Sequence, residues 1–215
     1  MIEIKETGGA QIGRANATWP FVTLTVTNNK LQLNASILGN LVFAPADIIS
    51  IEPYGLFAKR GIKINHRVDN YNSKVIFTSS ESAASLINRI EQIGFLNNKT
   101  PLSFLEKSEI LELQSSGAFP LKKSAVIVIV VIWNIFILST ILNFLPGWHG
   151  NLPMWTGVQF ATGFIFLVGL SMLLSDPFRQ LILKPGRSIG DIKWFVCFAM
   201  LICGTMFLTF TFLPH

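Results

Sequence analysis

Residues 124–145 read SAVIVIVVIWNIFILSTILNFL, without one charged side chain. At about 1.5 Å of rise per residue, a helix of this length crosses a hydrocarbon core of roughly 30 Å. Two further stretches repeat the pattern: 157–175 (GVQFATGFIFLVGLSMLLS) and 194–213 (WFVCFAMLICGTMFLTFTFL), both uncharged. Buried helices of soluble proteins seldom run so long without a charge, and three in succession predict three membrane spans, 124–145, 157–175 and 194–213.

The rest of the chain has a different composition. The 215 residues are 50% hydrophobic and 13% charged, against about 25% charged in an ordinary soluble domain. Residues 1–123 hold 13 Lys+Arg and 10 Asp+Glu, leaving 4 and 2 for residues 124–215. Such a chain is neither disordered, nor collagen-like, nor a disulfide scaffold, and it is not soluble throughout. It divides into residues 1–98, a linker 99–123 and a span region 124–215.

Orientation follows from the loops. Lys122 and Lys123 precede the first span, and the connection 176–193 (DPFRQLILKPGRSIGDIK) carries Arg179, Lys184, Arg187 and Lys193. The loop 146–156 and the tail 214–215 carry no charged residue. Basic residues near span ends stay cytoplasmic, so a multi-pass protein of the plasma (inner) membrane is expected, N-terminus cytoplasmic and C-terminus extracytoplasmic. Trp148, Trp155 and Trp194 fall at span ends, where an indole sits at headgroup level with its N–H wet. The first residues, MIEIKETGGAQIGRA, lack the apolar core of a signal peptide. Asp176-Pro177 predicts a short interfacial helix with Phe178, Leu181 and Ile182 towards lipid.

Residues 20–78 alternate as half-buried strands do. Runs at 21–27, 31–34, 41–43, 47–52, 61–68 and 74–78 are separated by turn residues such as Asn28-Asn29-Lys30 and Asp69-Asn70-Tyr71-Asn72. The period then becomes helical, with Ser80 as N-cap, Ala83, Leu86 or Ile87, Ile90 and Ile93 on one face, and Gly94-Phe95 as C-cap. The expected fold class is α+β: a small antiparallel β-barrel or sandwich closed by a C-terminal helix, followed by three transmembrane α-helices.

Strands, then GIKINHRV (61–68), a turn, KVIFTS (74–79) and SAASLINRIEQIGF (82–95) resemble the last strands and closing helix of the PH-like/GRAM-like superfamily, the bacterial membrane-tethered type in particular, over residues 10–96. The resemblance implies a seven-stranded, strongly bent barrel capped by the helix. It implies a module for protein contacts and not phosphoinositide binding, since no lipid-headgroup signature is present. In the linker, Thr100-Pro101 marks a helix start, and Leu102, Leu105, Ile110 and Leu113 alternate with Glu106, Glu109 and Glu112 as a weakly amphipathic stretch: a helix against the barrel, a helix against a partner, or, the favoured reading, a simple spacer.

No residue pattern points to catalysis. His66, His149 and His215 stand alone, without metal-ligand spacing. His66 shares a face with Ile62 and Ile64 and reads as a satisfied core histidine. Cys197 and Cys203 lie in the third span, apart from any basic residue, and read as apolar packing residues. No GxSxG, P-loop or GxGxxG occurs, and the spans contain no Asp, Glu or His, as an intramembrane hydrolase or proton relay requires. The chain is therefore expected to be no enzyme and to need no cofactor or metal.

Two sets of residues stand out. Lys59, Arg60, Lys63, Arg67 and Lys74 form a basic cluster of the N-terminal domain, joined at the same membrane face by Arg179, Lys184 and Arg187. The cluster reads as a solvated face, as a contact for anionic lipid, or as a contact for an acidic protein partner. Nucleic acid is not expected, for want of an aromatic-interleaved basic stripe. The polar residues of the spans are Asn134, Asn143 and Gln159; of these Asn134, mid-way along the first span, calls for an interhelical polar contact, in bundle packing or oligomerisation rather than a substrate site. Gly157, Ala161 and Cys203-Gly204 offer surfaces for close helix approach. The expected function is a membrane scaffold or accessory subunit presenting a cytoplasmic PH-like interaction module, with a protein partner or self-association through the spans. The alternative is an oligomeric pore or permease component gated by that module.

Overall fold

The structure is a computed structural model and describes residues 3–55, 61–98, 100–115, 117–142 and 155–212. The chain forms two compact units. One comprises Met1–Pro120 together with Pro185–Asp191, the other Leu121–Lys184 together with Ile192–His215.

The first unit is built on one antiparallel sheet of seven strands: β1 (Ile4–Ile12), β2 (Ala15–Val26), β3 (Leu31–Asn34), β4 (Asn40–Phe43), β5 (Ile48–Tyr54), β6 (Gly61–His66) and β7 (Val75–Thr78). The strand order is β4-β3-β2-β1-β7-β6-β5. The two edge strands, β4 and β5, are consecutive in sequence and joined by a 3-10 turn at Pro45–Asp47, so the sheet curls into a half-barrel. The alternation read in the sequence is the inside of that curl. Val22, Leu24, Val26, Leu31, Leu33, Ile62 and Ile64 are all 0% exposed, while the residues between them reach the surface in part.

β1 was not legible in the sequence, because IKETGGAQI shows no apolar alternation, yet it joins the two halves of the sheet. It pairs with β2 along its length and with β7 from Gly9 to Ile12. The register with β2 breaks between Gly8 and Ala10, a bulge that bends the strand. A Cβ at Gly8 would run into the carbonyl oxygen of Thr78 and the Phe77 ring, so the glycine is needed for close approach.

Helix α1 (Ala83–Gln92) adds Ala83, Leu86 and Ile90 to the core. Its N-cap is Ser82, whose Oγ accepts the Ser85 N–H at 3.2 Å, not Ser80. Gly94, at φ +81°, ends it and Phe95 packs back with 0% exposure, as the sequence predicts.

The linker is not the favoured spacer but the alternative, a helix packed on the sheet, and it belongs to the unit. Helix α2 (Phe104–Ser115) starts from a capping box, Ser103 Oγ accepting the Glu106 N–H at 3.3 Å while Glu106 Oε2 accepts the Ser103 N–H at 3.1 Å. Ile110 and Leu113 bury against Val42 of β4. Gln114 Nε2 donates to the Val42 carbonyl at 3.0 Å and to Asp47 Oδ2 at 2.7 Å. Edge strand β4 is thereby covered by α2, which removes an exposed strand edge.

The second unit contains α3 (Lys123–Leu142), α4 (Thr156–Leu174), the short α5 (Asp176–Ile182) and α6 (Lys193–Phe212). Three of these, α3, α4 and α6, are long and apolar enough to cross a membrane, within a few residues of the predicted bounds. α4 packs against both α3 and α6. The close approaches use glycines: Gly157 abuts Phe136, Ser139 and Thr140 of α3, and Gly169 abuts Met200 of α6. α5 forms as Asp176-Pro177 predicts, with Leu181 65% exposed, but Ile182 is buried rather than turned outward.

Candidate functional site

The outer face of β5–β7 carries a shallow concavity of about 690 Å³, lined by Ser50, Glu52, Tyr54, Lys63, Asn65, His66 and Lys74 among others. The strands position it by alternation: while Ile62 and Ile64 point into the core, Lys63, Asn65 and their cross-strand neighbours point outward. Lys63 lies opposite Glu52 in the β5–β6 register. Glu52 Oε1 accepts from Ser50 Oγ at 2.6 Å and from Asn65 Nδ2 at 2.9 Å, so the carboxylate is held by two donors beside the lysine. The surface is of mixed sign rather than a field of cations.

Beside it, His66 has both ring nitrogens engaged. Nδ1 accepts the Val68 N–H at 3.3 Å, which leaves the Nε2 proton to donate to the Asn72 carbonyl at 2.9 Å. Its ring lies 5.0 Å from that of Phe43 and 6.2 Å from that of Tyr71. The histidine is satisfied, as the sequence predicts, but it is half-buried at the concavity rather than a core residue like Ile62 and Ile64. Tyr71 is 7% exposed, and its oxygen accepts the Val42 N–H at 3.3 Å. Burial raises the phenol above its ordinary range, with the Val42 bond and the nearby Arg187 charge opposing.

Of the predicted basic residues, the structure brings Lys63 and Lys74 together on this face. Arg67 lies just past the end of β6, exposed, and does not line the concavity. Lys59 and Arg60 lie outside the described residues. Arg179 belongs to α5, paired with Asp176 at 2.7 Å and bonded to the Leu173 carbonyl at 3.3 Å; Lys184 is half-buried.

Arg187 departs furthest from its expected surface role. It is 8% exposed, and its guanidinium donates to three backbone carbonyls of the first unit: Asn40 at 3.0 Å, Gly117 at 2.8 Å and Leu113 at 3.3 Å. Two of these carbonyls lie at the C-terminal end of α2, where a helix lacks internal donors and favours a cation. Four residues on, Asp191 Oδ1 accepts from Asn40 Nδ2 at 2.9 Å. The strap Pro185–Asp191 is thus a structural piece of the N-terminal unit, supplied from the far side of three helices in sequence. Nothing in the local sequence distinguishes Arg187 from the other cations of its loop.

Between the Pro45–Asp47 turn and α2 lies a second cleft, of about 560 Å³, with Pro45, Leu96, Leu102 and Ile110 in its walls and Asp47, Lys107 and Gln114 at its polar end. Asp47 Oδ2 is occupied by the Ala44 N–H at 2.8 Å and by Gln114.

In the second unit, Gln159 Nε2 donates to Thr211 Oγ1 at 2.8 Å, joining α4 to α6. Asn143 lies outside the described residues. Among the described residues Asn134 makes no hydrogen bond to another helix: its Nδ2 donates to the Val130 carbonyl of its own helix at 2.7 Å. Cys197 and Cys203 are both free thiols. No protein-family model matches the chain, and neither a curated protein nor a solved structure matches it.

Proposed function

We propose that this chain is a non-enzymatic membrane protein that presents a PH-like interaction module at the cytoplasmic face, as a scaffold or accessory subunit. The observation that carries the reading is the strap. Residues 185–191 lie between α5 and α6 yet belong to the N-terminal unit, so module and four-cation loop share one side of the bilayer, and basic loops stay cytoplasmic. The PH-like part of the reading is supported by the seven antiparallel strands followed by α1, the number and order that the resemblance implies. The contact surface is the mixed-charge concavity around Lys63, Lys74 and Glu52. Polybasic lipid contacts use clusters of four to eight cations, whereas paired lysine and glutamate with flanking amides suit a polar protein segment.

The test uses the full chain in its membrane. A tagged wild type, Lys63→Glu/Lys74→Glu, and a control on an exposed β1 residue opposite Thr25 of β2, Lys5→Glu, which does not line the concavity, are cross-linked and captured. Loss of a partner with the double variant alone is expected; an identical partner set for all three overturns the assignment of this face. Topology is checked separately through the sequons Asn34-Ala35-Ser36 and Asn98-Lys99-Thr100. Neither is modified in a glycosylating membrane if the module is cytoplasmic.

A further inference from the structure

Asn134 sits on a regular face of α3. Ile127, Val131, Asn134, Leu138 and Ile141 follow one another at steps of four, three, four and three residues, the spacing of a left-handed coiled-coil seam. All five are exposed, the four aliphatic ones by 51–62%. The opposite face, through Phe136, Ser139 and Thr140, packs on α4: the Phe136 ring lies 6.0 Å from that of Phe160, tilted, and 5.9 Å from that of Phe164, edge-on, and Thr140 Oγ1 accepts the Val158 N–H at 3.1 Å. Among the described residues, then, nothing covers the seam.

An aliphatic face needs no cover in lipid, but an amide does. Asn134 Oδ1 accepts no hydrogen bond among the described residues, and one Nδ2 proton is left over after the bond to Val130. A carboxamide carries both a donor and an acceptor and so complements its own image. Two copies inserted with the same topology place this residue at one depth, with their α3 helices parallel, so a twofold axis brings amide onto amide without any further partner. A polar residue at one core position of an otherwise apolar seam also fixes register.

We propose that this face of α3 is the seam of a parallel homodimer, in which Asn134 hydrogen-bonds Asn134 of the second copy. The proposal rests on α3 crossing a bilayer and is independent of what the N-terminal module binds.

The experiment uses the full chain carrying Cys197→Ala and Cys203→Ala, with single cysteines placed along α3 and oxidised in native membranes. Disulfide-linked dimers are expected from Val131→Cys and Leu138→Cys, and not from Ile129→Cys or Ile132→Cys, which lie off the seam. In detergent, Asn134→Val weakens dimerisation by roughly 3- to 20-fold, the range of single interhelical polar contacts, and Asn134→Gln keeps most of it. The cysteine series retains Asn134, so it reads the seam even where the valine variant folds poorly. Cross-linking without this periodicity, or an unchanged dissociation constant for a well-behaved Asn134→Val, overturns the proposal. Alkaline extraction separates the two levels: release of the chain from the membrane pellet overturns the span reading itself, whereas retention without cross-linking overturns the dimer alone.

Discussion

Arg187 is held by carbonyls rather than by a carboxylate. Three carbonyl oxygens, those of Asn40, Leu113 and Gly117, share one guanidinium, whose planar fork reaches several acceptors at once. Arg187→Ala removes all three bonds, and a hydrogen bond to a charged group contributes about 1.5–3 kcal/mol. A local loss of roughly 3–5 kcal/mol is expected, read as faster hydrogen exchange at the last turn of α2, residues 112–115. Arg187→Lys recovers only part of it, because a compact ammonium lacks the fork. Unchanged exchange in the alanine variant refutes the role. Gly8 imposes the opposite constraint, a lack of room. A methyl group there meets the backbone of β7, which cannot yield as a side chain tip would, so Gly8→Ala lowers stability by about 3 kcal/mol or more, at the upper end of overpacking effects. Denaturant unfolding of the N-terminal unit checks this. Neither constraint is legible in the sequence: an arginine in a basic loop and a glycine in a Gly-Gly pair carry no mark of what lies opposite them in space.

Among the elements, the strands that alternate cleanly were legible, because one row of each faces the core: β3, β6 and the second half of β2. β1 was not, since its glycines serve a bulge. α2 was legible as a helix with a weak stripe but not as a packed one. Leu105 and Leu111 of its stripe and sequence are exposed by 78% and 52%, while a polar residue, Gln114, is buried and bonded to β4 and Asp47; apolar periodicity does not register such an anchor. Its N-terminus carries a pH signature. Glu106 has its pKa lowered, first by the Ser103 hydroxyl and backbone N–H and then by Asn29. A carboxylate whose folded pKa is depressed stabilises above its unfolded value of 4.5, and the contribution is lost as pH falls from there through the folded pKa. Helical signal and local exchange protection at α2 are therefore expected to decline on acidification in the wild type. In Glu106→Gln the decline across that window is smaller, because the amide does not titrate; equal slopes for the two chains exclude the capping box as the cause.

At the scale of the whole molecule, the three long apolar helices were fully legible, since length and absence of charge need no tertiary information, and the curled sheet was legible in outline. The discontinuity of the first unit was not. A sequence boundary near residue 98 cuts α2 from the strand it covers, and even a boundary at Pro120 leaves out Pro185–Asp191. The missing strap contains the guanidinium that caps α2 and the carboxylate that binds Asn40, so a fragment ending at Pro120 retains its hydrophobic core but loses these polar closures. The comparison that isolates the effect is residues 1–120 alone against residues 1–120 joined through a flexible Gly/Ser linker to residues 185–191. With about 3–5 kcal/mol at stake and a few degrees per kcal/mol for a unit of this size, the joined form should melt roughly 10–20 °C higher. Arg187→Ala in the joined form should return most of that gain, which separates the strap's specific bonds from any general effect of a longer chain. Equal melting of the two fragments would show that the strap only rests on the unit, and the sidedness argument built on it would then lose its support.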